Sequence, residues 1–305
     1  MMSQALNRAG PRIVVLCAVL AGPLGAGAAS LKVSPARFMV NDVEPGRTYD
    51  LYKETGVRLA VFNEDAVEQT WVLTAHRPSE RGRWETGYGE IPDAAWCWFG
   101  ENEITVPPNS VGYGHLFLRV PGEEQYYNQH WIVALNVAGK TGGLGVSLAI
   151  DIRVQIETKS KKGLKKAPHG LLGIEPSAVH FENVRPGVPE QASVLVYNND
   201  DREHTYTVGS LFMEQKHEPK TYLQQSYDLL PERTWIENTP TLTIKPGGTA
   251  RLSLALNVPD KAEHFGKKWE DCILVKPDIG RAGFVRVQIE TIPATGEQAA
   301  GGPAP

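Results

Sequence analysis

The chain has 305 residues, of which 41% are hydrophobic and 22% are charged, as in an ordinary globular protein. A chain of this length favours two domains, each large enough to bury a core of its own. The formal net charge of −4 gives no general attraction to nucleic acid, so we expect no nucleic-acid partner.

Residues 1–29 have the pattern of a secretory signal peptide. Two arginines precede an apolar run at residues 13–24, and Ala26-Gly27-Ala28 fits the small residues of a cleavage site. A run of about 12 residues is too short for a comfortable transmembrane helix. We therefore predict an exported protein, periplasmic or at the cell surface, with no transmembrane segment in the mature chain. An uncleaved anchor and a lipidated Cys17 are the alternatives.

Two related copies follow, at residues 31–158 and 172–292. The hexapeptide Arg-Val-Gln-Ile-Glu-Thr at 153–158 recurs unchanged at 286–291. Two copies are too few for a solenoid, so each copy is predicted to be a self-sufficient domain. Other landmarks recur in the same order: Pro35 and Pro176, Pro45-Gly46 and Pro186-Gly187, Asn63 and Asn198, Trp98 and Trp235, Trp131 and Trp269.

Within each copy, short runs of alternating apolar and polar residues are separated by turn residues. Residues 57–62 and 115–120 show this alternation in the first copy, and residues 193–197 and 251–256 show it in the second. A period of two is typical of strands with one buried face. We therefore predict an all-β protein made of two tandem immunoglobulin-like β-sandwich domains. A short helix within 213–230 would also fit the sequence.

The recurring tryptophans are predicted to lie in the two cores, because equivalent large aromatics serve packing in both copies. Cys97 and Cys272 do not occupy equivalent positions in the repeat. We predict two free buried thiols, with a disulfide between the copies as the alternative.

Residues 159–171 join the copies and contain five lysines, which repel one another and favour a solvated, flexible hinge. A contact with an anionic lipid or a cell-wall polymer is the alternative for these lysines. Residues 293–305 are rich in glycine, alanine and proline and are predicted to be disordered.

Each copy resembles the immunoglobulin-like domains of the bacterial WxL-interacting proteins. The shared pattern has an apolar strand ending at Pro35, the turn Pro45-Gly46, a strand entering Asn63, and a strand ending at Val120-Pro121. The resemblance implies noncatalytic binding at the cell envelope, to an envelope protein or a cell-wall polymer.

A second resemblance is to the periplasmic pilus chaperones, which also consist of two immunoglobulin-like domains. The segment from Ser34 to Phe38 is similar to their first strand. It implies that Arg37 grips the C-terminal carboxylate of a subunit whose sheet is completed by strand addition. A chaperone for pilus-like subunits is therefore the alternative function. The repeat argues against it, because those chaperones have two unlike domains, and Arg37 can equally be a plain surface arginine.

The loops differ between the copies, and binding residues are expected there. The stretch 77–98 and the segment 126–130 of the first copy mix aromatic side chains with polar ones, as binding surfaces do. We predict contact residues at Trp84, Tyr88, Tyr126 and Tyr127. The alternative is that these rings fold back on their own sandwich.

The sequence shows no pattern typical of catalysis, of a metal site or of a cofactor site. Residues 134–141 resemble a phosphate loop but begin with alanine and lie between strands. The eight histidines lack zinc-ligand spacing, and the acidic run at 200–203 fits a turn better than a calcium site. We therefore expect no enzyme activity, cofactor or metal. An enzyme would need a deep polar pocket between the copies.

Overall fold

The computed structural model describes residues 31–82, 84–140, 148–214, 222–224 and 226–294. The predicted signal peptide and residues 295–305 of the predicted disordered tail lie outside these ranges. Within them, no helix is long and apolar enough to span a membrane.

The first copy folds into two packed layers of strands. One layer has the order β2-β12-β11-β5-β8, with β6 beside β11, and the other consists of β1-β4-β9 and β3-β10-β7. Two short helices, α1 (Leu51–Thr55) and α2 (Pro78–Arg81), lie between strands. The strands are β1 (Leu31–Ser34), β2 (Arg37–Val43), β3 (Thr48–Asp50), β4 (Leu59–Asn63), β5 (Gln69–His76), β6 (Gly89–Glu90), β7 (Cys97–Phe99), β8 (Glu103–Val106), β9 (Ser110–Gly114), β10 (Leu116–Arg119), β11 (His130–Gly139) and β12 (Ala149–Thr158).

The second copy repeats this arrangement. One layer has the order β14-β22-β21-β16-β19, with β17 beside β21, and the other has the order β13-β15-β20-β18. The helix α3 (Leu211–Glu214) lies at the start of the predicted ambiguous segment. The strands are β13 (Leu172–Glu175), β14 (Ala178–Val184), β15 (Glu190–Asn198), β16 (His204–Ser210), β17 (Asp228–Leu229), β18 (Ile236–Asn238), β19 (Thr241–Ile244), β20 (Thr249–Leu256), β21 (Lys268–Pro277) and β22 (Gly283–Thr291).

The predicted fold class is confirmed: the chain is all-β and forms two tandem immunoglobulin-like sandwiches. In each copy the chain passes from one layer to the other at the first conserved landmark of the repeat, Pro35 or Pro176. Thus β1 pairs with β4, whereas β2 pairs in parallel with β12. In the same way β13 pairs with β15, whereas β14 pairs in parallel with β22.

The repeat extends to individual hydrogen bonds. The side-chain amide of Asn63 donates to three backbone carbonyls, those of Val67, Val106 and Pro107. Its counterpart Asn198 donates to the carbonyls of Arg202, Ile244 and Lys245. Both asparagines are buried, so each one links two adjacent turns from inside the sandwich.

The prediction of core tryptophans is right for three positions and wrong for Trp98. Trp131, Trp235 and Trp269 are buried, but Trp98 is 37% exposed. The true counterpart of Trp235 is Trp96, because each ends a short 3₁₀ turn. Trp96 packs edge-to-face on Trp131 at 5.7 Å between ring centroids, and Trp235 packs in the same way on Trp269 at 5.2 Å. Trp98 lies two residues later on β7 and points outward.

The two cysteines are free and buried, as predicted. Cys97 packs in the core of the first copy, whereas Cys272 belongs to an apolar cluster between the copies. Burial raises the pKa of the Cys97 thiol to about 12, so this thiol is a packing group.

The linker is exposed at most of its residues, and its backbone is hydrogen-bonded to both copies. The backbone N–H of Lys159 donates to the carbonyl of Val43, and that of Lys161 donates to the side chain of Asn128. On the other side, the backbone N–H of Leu164 donates to Glu175 of the second copy at 3.0 Å.

Candidate functional site

A third apolar cluster joins the two copies. Tyr88 and Ile132 from the first copy pack against side chains of the second copy, and both are at most 1% exposed. Gly87 makes the approach possible, since a Cβ there would lie 2.6 Å from the Phe284 ring. The partners on the second copy are Leu211, Phe212, Tyr222, Cys272, Leu274 and Phe284.

An ionic network crosses the same interface. The Arg286 side chain is 1% exposed, pairs with Glu157 of the first copy and Glu270 of the second, and donates to the carbonyl of Tyr222 at 2.7 Å. The hydroxyl of Tyr88 donates to Glu157 at 2.6 Å. Burial opposes the charge of Arg286, but Glu157 and Glu270 hold the pKa of its guanidinium above the ordinary value.

Tyr88 therefore lies between the copies and not on a surface that a partner could reach, in contrast to its predicted role. The predicted loop does not expose this ring because the ring fills the contact with Phe284, at 5.3 Å between centroids. His130 stacks on the same Phe284 ring at 3.8 Å, and burial lowers the pKa of His130 to about 4. The interface is thus apolar and aromatic, and the buried guanidinium of Arg286 is paired to carboxylates.

Two arginines converge on a carboxylate beside this interface. Arg37 and Arg153 are register partners on the parallel strands β2 and β12. The Nε of Arg37 lies 3.2 Å from Oε1 of Glu85, and the Nη1 of Arg153 lies 2.9 Å from the same atom. The Glu85 side chain is 4% exposed, whereas the two arginine side chains are 24% and 34% exposed.

The two carboxylate oxygens of Glu85 differ in their hydrogen bonds. Its Oε2 accepts from the amide of Gln155 at 2.5 Å. Its Oε1 is at ion-pair distance from both guanidinium groups but has no well-aligned hydrogen bond. We call Arg37, Arg153 and Glu85 the arginine clamp. Most buried oxygens in folded proteins have aligned donors, so Oε1 of Glu85 is available to further donors.

The first four residues of β12 extend beyond its pairing with β2. β12 starts at Ala149, and β2 pairs with it from Arg153 onward. Residues 149–152 pair with β11, and Ile152 points into the core. The clamp therefore lies where β12 runs on past the end of its neighbour β2.

The other predicted contact residues lie in two places. Trp84 precedes Glu85 of the clamp, and the Arg281 guanidinium lies over its ring. Tyr126 and Tyr127 lie near the linker instead. The Tyr126 ring packs against Trp96 and His169, and the Tyr127 hydroxyl donates to Glu44 while Lys161 lies over its ring.

Sequence reasoning selected Arg37 but missed Arg153 and Glu85. One signal was available: the repeated hexapeptide places an arginine, Arg153 or Arg286, between apolar residues inside a strand. A charge at such a position needs a partner, and each of these arginines has a carboxylate. In the described part of the chain, no group of three or more histidine, cysteine or acidic side chains could hold a metal ion.

The chain matches no protein-family model and no curated protein. Solved structures similar to it include a protein of unknown function from Porphyromonas gingivalis W83, at 16% identity over 85% of this chain and 99% of that one, with a TM-score of 0.33. The periplasmic chaperone SfaE is 11% identical over 85% and 99% of the two chains, with a TM-score of 0.30. The E. coli chaperone DraB is 12% identical over 87% and 97%, with a TM-score of 0.29. Similarity at this level identifies no function, and the resemblance to WxL-interacting proteins stays a prediction.

Proposed function

We propose that this chain is a noncatalytic binding protein of the chaperone type, which holds an extended segment of a partner protein by its C-terminal carboxylate. The observation that carries the proposal is the arginine clamp. Two guanidinium groups on adjacent strands, both partly exposed, already share one carboxylate of the chain itself. Paired arginines are well suited to bidentate recognition of carboxylates.

In the absence of a partner, Glu85 occupies the clamp with a poorly aligned Oε1. A partner's carboxylate competes with Glu85 for the two arginines, and it is favoured where it forms bonds aligned with both guanidinium groups. The displaced Glu85 side chain, which is 4% exposed, then has to move to reach water. We therefore expect slow binding with a conformational step.

Strand addition supplies the rest of the contact. A partner segment that ends at the clamp lies alongside residues 149–152, where β12 runs on beyond β2. Main-chain hydrogen bonds then give affinity, and alternate side chains of the segment reach the sandwich. The signal-peptide pattern of residues 1–29 supports export, so we place this binding in the periplasm or at the cell surface.

The proposal is tested by capture from an envelope extract. The chain from residue 30 to 305 is immobilised beside the Arg37→Ala/Arg153→Ala variant, and retained proteins are identified by mass spectrometry. The matched control is Arg185→Ala/Arg202→Ala, which removes the same charge from exposed positions of the second copy. Thermal melting by circular dichroism checks that each variant is folded.

We expect a protein that the native chain and the control retain and that the clamp variant loses. Equal recovery by the clamp variant, or no retained protein at all, would overturn the proposal.

A further inference from the structure

The outward face of the first copy carries exposed aromatic rings. Trp98 on β7 is 37% exposed and Tyr113 on β9 is 47% exposed, and these are the exposed aromatic side chains within the described ranges. Trp98 stacks on its cross-strand partner Phe117 at 5.7 Å between centroids, with 19° between the ring planes. We call Trp98, Tyr113 and Phe117 the aromatic face.

The repeat provides an internal comparison for this face. Matching strand registers place Glu237 at the position of Trp98, Ala255 at that of Phe117, and Arg251 at that of Tyr113. The second copy therefore folds into the same sandwich with two charged residues and an alanine at these positions. The fold therefore does not require aromatic side chains at these three positions.

A cavity of about 420 Å³ lies against two of the three rings, those of Tyr113 and Phe117, and Trp98 stacks on Phe117 beside it. Its volume is within the range of roughly 300 to 1,000 Å³ that small ligands occupy. Tyr113 and Phe117 line it, together with the imidazole of His115 and the carboxylates of Glu101 and Glu103. The site thus combines flat apolar surfaces with hydrogen-bonding groups at its edge.

The charges around the aromatic face are largely balanced within the chain. The ammonium of Lys140 binds both carboxylate oxygens of Glu103, at 2.8 and 2.7 Å. The Arg58 guanidinium lies over the rings of Tyr52 and Tyr113, at 3.8 and 5.6 Å from their centroids. The charged groups here are Lys140, Arg58, Glu101 and Glu103, two of each sign, so the face has no net charge of one sign. Such a face favours an uncharged ligand over a strongly anionic or strongly cationic one.

We propose that the aromatic face of the first copy binds a neutral glycan chain. The C–H face of a pyranose ring packs on flat aromatic rings, and its hydroxyl groups both donate and accept hydrogen bonds. Tyr113 and Phe117 offer the rings, Glu101 accepts from hydroxyl groups, and His115 can donate or accept. This binding site is separate from the arginine clamp, and it does not depend on the function proposed above.

The test is isothermal titration calorimetry with two soluble neutral probes, cellohexaose and chitohexaose. Cosedimentation with purified peptidoglycan sacculi and with cellulose extends it to polymers. The chain from 30 to 305 is compared with Trp98→Ala/Tyr113→Ala. The matched control is Glu237→Ala/Arg251→Ala, which changes the corresponding positions of the second copy.

We expect at least one probe to bind the native chain and the control alike, with affinity reduced roughly tenfold or more in the aromatic variant. Because both mutated rings are exposed, the variant should keep the native melting temperature within a few degrees. Unchanged binding by the aromatic variant, or binding of none of the four glycans, would overturn the proposal. A dimer in sedimentation velocity that the aromatic variant abolishes, without glycan binding, would assign the face to a second copy of the chain instead.

Discussion

The guanidinium of Arg286 is the one cation buried deep in the described contact between the copies. Its side chain is 1% exposed, and its partner Glu157 on the first copy is 6% exposed. Removing Glu157 takes away one of the two buried carboxylates that pair with this guanidinium, the other being Glu270, and it leaves the Tyr88 hydroxyl without its acceptor. Losing one member of such a buried network is costly, because the groups that remain cannot turn to water.

We therefore expect Glu157→Ala to lower the free energy of unfolding by about 3–5 kcal/mol, measured by urea denaturation. The matched control is Glu290→Ala, the same residue of the second hexapeptide. Glu290 is 37% exposed and pairs with Lys268 at the surface, so this change should cost about 0–1 kcal/mol. Equal costs at the two positions would show that the buried network does not hold the copies together.

Asp271 makes stability depend on pH. Its carboxyl lies beside the interface, 2% exposed, and burial raises its pKa from 3.8 to about 6. Between pH 3.8 and about pH 6, the Asp271 carboxyl keeps its proton in the folded chain and has lost it in the unfolded chain. The free energy of unfolding therefore falls as pH rises from about 4 to 6 because of this residue.

The Asp271→Asn variant removes this loss. An asparagine oxygen can still accept from the Ser210 hydroxyl and the Cys272 N–H, both at 2.8 Å from the present carboxylate. We expect the variant to match the native chain near pH 4 and to exceed its stability by about 1–3 kcal/mol at pH 7. Urea midpoints at the two pH values measure this, and a variant less stable than the native chain at pH 7 would contradict the assigned burial effect.

At the scale of strands and turns, the paired asparagines tie adjacent turns together in each sandwich. Asn63→Asp replaces the donating amide with an oxygen that faces three backbone carbonyls. We expect a loss of at least about 2–3 kcal/mol in the free energy of unfolding, because donors are lost and the carbonyls remain buried. The exposed Asn102→Asp is the control and should cost less than about 0.5 kcal/mol. A small effect at Asn63 would mean that water replaces its bonds.

These elements are the part of the fold that the sequence predicts well. Alternation along strands and the turn residues around Asn63 and Asn198 are local, so they can be recognised without knowing what packs against them. The tryptophan assignment failed by two residues, at Trp98 instead of Trp96, because both lie near the same turn and alternation alone does not fix the start of a three-residue strand.

At the scale of the whole molecule, one glycine controls how closely the copies approach. Gly87 has a φ of +84°, and an added Cβ would lie 2.6 Å from the Phe284 ring across the interface. Gly82 has a similar φ of +63°, with nothing within 4 Å of an added Cβ. Both glycines therefore have the left-handed backbone conformation that favours glycine, but only Gly87 lies close to a side chain of the other copy.

We expect Gly87→Ala to change the relative orientation of the copies, seen as a different small-angle X-ray scattering profile and faster proteolysis of residues 159–171. Gly82→Ala should carry the backbone cost alone, roughly 1 kcal/mol, with an unchanged scattering profile. Identical profiles for native chain and both variants would mean that Phe284 yields to the added methyl group.

The contact between the copies and the arginine clamp were beyond prediction from the sequence. Both bring together residues far apart in the chain, such as Glu157 with Arg286 and Glu85 with Arg37. The prediction of Tyr88 as a contact residue rests on a loop that mixes aromatic with polar side chains. Such a composition is equally typical of a binding loop and of a loop that packs on a neighbouring domain.

The most direct test of the proposed binding is a titration with one peptide in two forms. The peptide is the last 15 residues of the protein captured from the envelope extract, with either a free or an amidated C-terminus. We predict that amidation weakens binding about tenfold or more, because it removes the charge that the two arginines hold. Glu85→Gln should strengthen binding of the free acid, since it removes the competing carboxylate. Equal affinity for acid and amide would contradict the account, because the arginine clamp would then not be the site that holds the partner.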